Sequence, residues 1–234
     1  MGVAMAVANR SGTVVPTRSA PATMAWWFMV ASCVGVTVYA LQFFVLTVTD
    51  DHFARYLTTL RLHIIGGMGA LLTGPWQFSP RLRSRALNVH RWIGRGYLLS
   101  VLLGSVAGFA MATVSKAGLP AHIGFGALAC VWLFTSVQAY RSVLRGRIAA
   151  HRRWMVRSFA LTLAAVTLRN YLPLLLFGLH WSFQSAYITV AWLSWVPNLI
   201  VAEWLLRRVP AVGVPGSLRR NPSSLASTSS PAVR

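Results

Sequence analysis

The amino-acid sequence predicts an all-α, polytopic membrane fold with six transmembrane helices, and three observations carry that expectation. Charged residues make up 11% of the 234-residue chain and hydrophobic ones 56%, whereas a soluble domain carries about 25% charged residues. The apolar residues gather into six stretches, each near the roughly 20 residues that a helix needs to cross a bilayer. The basic residues between those stretches are distributed very unevenly, as the positive-inside rule expects of a membrane protein.

Taken in order, residues 1–23 are small, polar and Pro-containing and carry Arg10 and Arg18. They read as a disordered cytoplasmic N-terminus. The apolar run that follows, 24–48, is too long for the core of a cleaved signal and has no clear cleavage site, so it reads as an uncleaved first helix. Further helices are expected over about 60–78, 92–114, 120–141, 154–177 and 184–206, giving one transmembrane domain over 24–208. Pro80, Gly118 and Pro120 punctuate the junctions. From Val209 the sequence is rich in Ser, Pro, Ala and Arg and has no periodicity, which reads as a disordered cytoplasmic tail over 209–234.

Orientation follows from the cations. Of the 22 Lys and Arg residues, eighteen fall in the N-terminus, the 79–95 loop, the 141–157 region and the tail. Only Arg55, Arg61, Lys116 and Arg169 fall on the other side. That split implies that both termini lie in the cytoplasm and that the chain spans an inner (plasma) membrane.

The same composition excludes much chemistry. Asp50, Asp51 and Glu203 are the only acidic residues, so carboxylate pairs for acid–base work and carboxylate-rich Mg²⁺ or Ca²⁺ sites are not expected. The sequence has no phosphate-binding loop and no Gly-x-Ser-x-Gly elbow. Cys33 and Cys130 both lie in apolar segments and read as small buried hydrophobes. The net charge of +19 sits between apolar segments. It therefore points to the lipid bilayer and anionic headgroups as partners, and not to nucleic acid.

Helices two to five contain an internal repeat. Residues 62–78 read LHIIGGMGALLTGPWQF and residues 121–140 read AHIGFGALACVWLFTSVQAY. Each opens on His-Ile and small residues and carries Gln near its far end. Residues 90–97, HRWIGRGY, match residues 151–159, HRRWMVRSF, with one extra residue in the second. Both copies run in the same direction, which implies a two-fold relation about an axis along the membrane normal. Short connections favour a four-helix bundle of these segments.

This topology sorts four histidines by depth. His63 and His122 begin their helices at the outer face, and His90 and His151 begin theirs at the inner face. Ionisable groups within a membrane are functional candidates. Two facing histidines can hold a haem iron through both axial positions, so the pattern leads to the expectation of haem b in two sites, His63/His122 outside and His90/His151 inside. Gly67, Gly94 and Gly126 stand four residues after His63, His90 and His122, on the same helix face, where a flat macrocycle could pack. Arg91, Arg95 and Arg157 inside, and Arg61 and Arg169 outside, are the expected partners of propionates or other anions. The iron would be the only metal. Its role would be electron transfer with a quinone or another redox partner. The alternative is a cofactor-free protein, a small transporter or accessory subunit, whose Arg and His side chains bind anionic lipid or substrate. Glu203 has Arg207 four residues on, the spacing of an intrahelical pair. Pro197-Asn198 marks a kink or an interhelical hydrogen bond.

The stretches LHIIGGMGALLTGPWQFSPRLR, HRWIGRGY, HRRWMVRSFALTLAAVTLRNYLP and AWLSWVPNLIVAEWLLRR together resemble a bacterial membrane-protein family catalogued as domain of unknown function 2306, over about 40–206. That resemblance implies a membrane location and no particular activity. The order and sidedness of His63, His90, His122 and His151 also resemble the cytochrome b561 architecture, in which four consecutive helices hold two haems on opposite membrane sides. This second resemblance is one of pattern, not of sequence.

Overall fold

The structure, a computed structural model, describes residues 6–8, 14–16, 19–45 and 55–208. A short antiparallel ribbon comes first: β1 (Ala6–Ala8) pairs with β2 (Val14–Pro16), Val7 opposite Val15. The rest is helical. The remainder of the expected N-terminal segment, and the whole tail after Arg208, lie outside the described residues.

The helices are α1 (Ala20–Ala40), α2 (Gln42–Val45), α3 (Leu57–Thr73), α4 (Pro80–Arg85), α5 (Leu87–Thr113), α6 (Leu119–Leu144), α7 (Ile148–Thr162), α8 (Ala164–Pro173), α9 (Phe183–Leu193) and α10 (Val196–Arg208). A 3₁₀ turn, Pro75–Phe78, follows α3, and a π-helical turn, Leu174–Gly178, follows α8. Short elements run on from one another, so five continuous helical stretches are long and apolar enough to cross a membrane. These are Ala20–Val45, Leu87–Thr113, Leu119–Leu144, Ile148–Gly178 and Phe183–Arg208. The remaining expected span, 60–78, becomes a 17-residue α-helix that gives way to the 3₁₀ turn.

Local chemistry explains the ends. The Ser79 hydroxyl accepts from Leu82 N at 3.4 Å and caps α4, and Ser182 accepts from Ser185 N at 3.2 Å and caps α9; both satisfy otherwise free N-terminal amides. Gly118 (φ 89°) enters α6 and Gly146 (φ 67°) leaves it. Both are left-handed backbone positions that glycine adopts without steric cost.

Packing is inverted relative to a soluble domain. Alanines fill the interior: Ala70, Ala121, Ala139, Ala186 and Ala191 are fully buried. Large apolar side chains face outward, with Phe28 at 76% exposure and Phe177 at 77%. An apolar exterior of this extent fits contact with hydrocarbon, and small residues inside let helix backbones approach closely. The closest approach joins α3 to α5. A Cβ added to Gly66 would run into the backbone of Gly104 and stand 2.7 Å from Ser100 O. Ser100, Gly104 and Gly108 are spaced by four and offer α3 one flat small-residue stripe.

The last span bends at Ser194–Trp195, between α9 and α10. Asn198 Nδ2 donates to Ser194 O at 3.0 Å, to Ala160 O at 3.2 Å and to the Thr167 hydroxyl at 3.2 Å. Thr167 in turn donates to Ser194 O. Pro197-Asn198 therefore sits at both a break in the helix and an interhelical bond. Glu203 corrects its sequence reading: it forms a two-point ion pair with Arg157 of α7, including Arg157 Nη2 to Oε2 at 3.0 Å. The planar guanidinium fork matches a carboxylate better than a neighbour on the same helix can.

Candidate functional site

One face of α5 organises the polar interior. His90, Gly94, Tyr97, Val101, Gly104 and Gly108 recur at three- and four-residue spacing and so share one helix face. From His90 to Gly104 this face covers about 21 Å at ~1.5 Å per residue. Each position meets a different partner.

At the start of α5, His90 lies near enough to Arg83, His151 and Arg91 to be influenced by their charges. His151 Nδ1 donates to Ala139 O of α6 at 2.9 Å. That bond fixes the tautomer and leaves Nε2 as the nitrogen with a lone pair. His90 Nδ1 is buried and has no hydrogen-bond partner. Gln77, in the 3₁₀ turn, lies beside Gly94: a Cβ there would stand 3.2 Å from Gln77 Oε1. Gln77 Nε2 is a second buried atom without a partner, while its backbone carbonyl accepts from Arg83 Nη1 at 3.4 Å. Buried polar atoms are normally satisfied, so two orphans at one helix end need an explanation.

In the middle, the fully buried Tyr97 hydroxyl bonds Ser158 Oγ at 2.6 Å and Thr162 Oγ1 at 2.9 Å, both on α7. Ser136 Oγ of α6 bonds Ser158 Oγ at 2.7 Å, and Trp132 Nε1 donates to Thr162 Oγ1 at 3.0 Å. This closed network ties α5, α6 and α7 together in apolar surroundings.

At the far end, His63 Nδ1 donates to Gly104 O at 2.8 Å, and the ring lies where a Gly108 Cβ would come within 2.8 Å of Nδ1. Arg169 of α8 acts on His63 electrostatically. The space beside Gly67 is open.

The sequence-predicted residues thus divide. His90 and His151 lie at the same end of the interior, near enough to influence each other's charge, with Gly94 one turn from His90. His63 does not hydrogen-bond His122 among the described residues. His122 Nε2 instead donates to Ser115 O at 2.6 Å, within the connection that leads into α6. A Cβ added to Gly126 would meet the Phe109 ring at ordinary contact distance. Arg157 is engaged by Glu203 and stacks over Trp154, and Arg95 lies over Trp92 at 4.7 Å. Arg61 and Arg169 each keep a buried Nε without a partner. Among the described residues, no three His, Cys, Asp or Glu side chains cluster as a metal-binding group. Cys33 is buried as expected, while Cys130 is exposed.

Sequence reasoning missed Gln77 and the Tyr97 network as parts of this interior. Ser158 and Thr162, four apart in the otherwise apolar run SFALTL, were the signal for the network.

No curated protein and no solved structure matches the chain. A family model described as a predicted membrane protein, DUF2306, matches residues 60–206, which runs from α3 to near the end of α10 and contains all of the polar interior just described. The chain belongs to the DUF2306 family of membrane proteins.

Proposed function

We propose that the chain is a six-span protein of the bacterial inner membrane that holds one haem b between His90 and His151 and takes part in transmembrane electron transfer. What supports this reading is the proximity of His90 and His151 at one end of the interior, with His90 Nδ1 unpartnered and His151 Nδ1 donating to Ala139 O.

The span count rests on α3. Its 17 residues cover about 26 Å, and the four-residue 3₁₀ turn adds roughly 8 Å. Together they exceed a hydrocarbon core of ~30 Å. In the bundle we infer, α3, α5, α6 and α7 surround a common interior. Gly74, at the end of α3, packs on Phe159 of α7, which closes the ring. Helices equivalent by the repeat then lie diagonally opposite, consistent with Tyr97 reaching Ser158. The eighteen-to-four split of basic residues puts the His90 end in the cytoplasm.

The residues at that end fit a haem in their chemistry. Ala139 O holds His151 in one tautomer, the usual outer support of a metal-bound imidazole. Arg83, Arg91 and Arg95 supply cations for propionates. Gln77 must swing aside from Gly94 to admit a macrocycle, and its unpartnered Nε2 can then donate to a propionate. A haem held by two histidines supplies one-electron transfer and no open iron position, which suits a quinone or a soluble protein as redox partner. The far end supports a second haem less well, because His122 spends Nε2 on Ser115 O.

The test is optical. Protein purified from haem-replete cells should show a Soret band and, after dithionite, an α-band. A spectrum with neither would sink the reading.

A further inference from the structure

A trough runs along one side of α10. Trp195, Leu199, Ile200, Glu203, Trp204 and Arg207 all line a single cavity of about 450 Å³. Leu199, Ile200, Glu203 and Arg207 recur at three- and four-residue spacing, so the trough follows one helix face. Its lining is apolar until the last two turns, where Glu203 and Arg207 enter. Trp195 stands at the opposite end, at the break between α9 and α10. Its ring is buried, and Nε1 donates to Ala191 O at 2.9 Å, which fixes the indole in place.

Length and charge identify the occupant. From Trp195 to Arg207 is twelve residues, or about 18 Å at ~1.5 Å per residue. One leaflet supplies half of a hydrocarbon core of ~30 Å. The trough therefore has the depth of one acyl chain and ends where the headgroups of that leaflet begin. The charge at that end is positive. Glu203 is neutralised by its two-point ion pair with Arg157. Among the described residues, Arg207 and Arg208 have no carboxylate ion pair. Arg208 lies 3.7 Å from the ring centre of Trp204, which brings a second cation to the trough wall. A basic pocket at the end of a membrane helix suits an anionic headgroup, and tryptophan is at home at headgroup level.

We propose that this trough binds one anionic phospholipid, with an acyl chain along Trp195, Leu199 and Ile200 and the phosphate at Arg207. The site lies outside the polar interior and stands whether or not haem binds between His90 and His151.

The test uses the full-length protein in nanodiscs that hold phosphatidylcholine and phosphatidylglycerol in equal parts. Native mass spectrometry after release reads which lipid stays bound. Phosphatidylglycerol should be retained in preference. Arg207→Gln should lower that preference about fivefold, the worth of one basic residue at a charged lipid surface. Ile200→Trp should crowd the chain out and lower retention of both lipids. Ile200 and Arg207 are exposed, so neither change burdens the fold. Arg145→Gln, just after α6, should alter nothing. The proposal is overturned if the two lipids are retained equally, or if Arg145→Gln acts as strongly as Arg207→Gln. It is also overturned if Ile200→Trp leaves retention unchanged, which reduces the contact to headgroup attraction alone. Release of a lipid-free dimer overturns it too, because the face then belongs to a second copy of this chain.

Discussion

The two ends of α5 hold their histidines differently. At the His90 end, His90 lies near His151, and two buried polar atoms, His90 Nδ1 and Gln77 Nε2, have no hydrogen-bond partner. At the His63 end, the repeat-related histidines are each held by a backbone carbonyl, His63 by Gly104 and His122 by Ser115. The difference comes from the surrounding backbone. The approach of Gly66 to Gly104 brings α3 so near α5 that the His63 ring drops onto Gly104 and Gly108. His122, four residues past the left-handed Gly118, turns back to its own loop. Similar histidine-bearing stretches thus end in different surroundings.

Several changes would break or sharpen that contrast. The largest effect is expected from His90→Ala or His151→Ala, either of which should abolish the haem spectrum, while His122→Ala leaves it intact. Equal loss from all three variants would erase the distinction between the ends. Next is Gly66→Val, which forces side-chain atoms into the Gly104 backbone and should cost at least the ~1–3 kcal/mol of an overpacked site. Thermal denaturation in detergent reads it. His63 should lose protection there, while the spectrum of the His90 end changes less than it does in His151→Ala. A smaller effect follows for Tyr97→Phe, which removes both hydroxyl bonds between the ends. Interhelical bonds of this kind are worth about 0.6 kcal/mol on average and up to ~1.7. A loss well above that range would mean that the network couples the two ends rather than merely joining three helices. The smallest is Glu203→Gln. Glu203 is itself 35% exposed, and glutamine keeps an oxygen that Arg157 can donate to, so the change should cost on the order of 1 kcal/mol. It should leave both ends of α5 undisturbed, as judged by the haem spectrum.

Much of the fold was legible because hydrocarbon imposes a simple rule. Length and apolarity mark a span, and basic residues mark its ends, whatever the tertiary contacts. Five spans follow that rule. The stretch 60–78 departs from it because Gly74-Pro75 ends the α-helix and turns the chain into 3₁₀ geometry. The surroundings of the candidate residues were less legible. The fate of Arg157 was not readable, since Glu203 lies 46 residues away on another helix. Nor was the orphaned Gln77 amide, whose position depends on the 3₁₀ turn.

Sequence by itself determined the membrane environment, the order of the apolar helices and the clustering of cations between them. Each is a property of composition or period, fixed before any two helices touch. Tertiary structure alone decided which equivalent residues meet, because that depends on how closely backbones approach. Gly66 against Gly104 sets that distance at one end of α5, and Gln77 beside Gly94 sets it at the other.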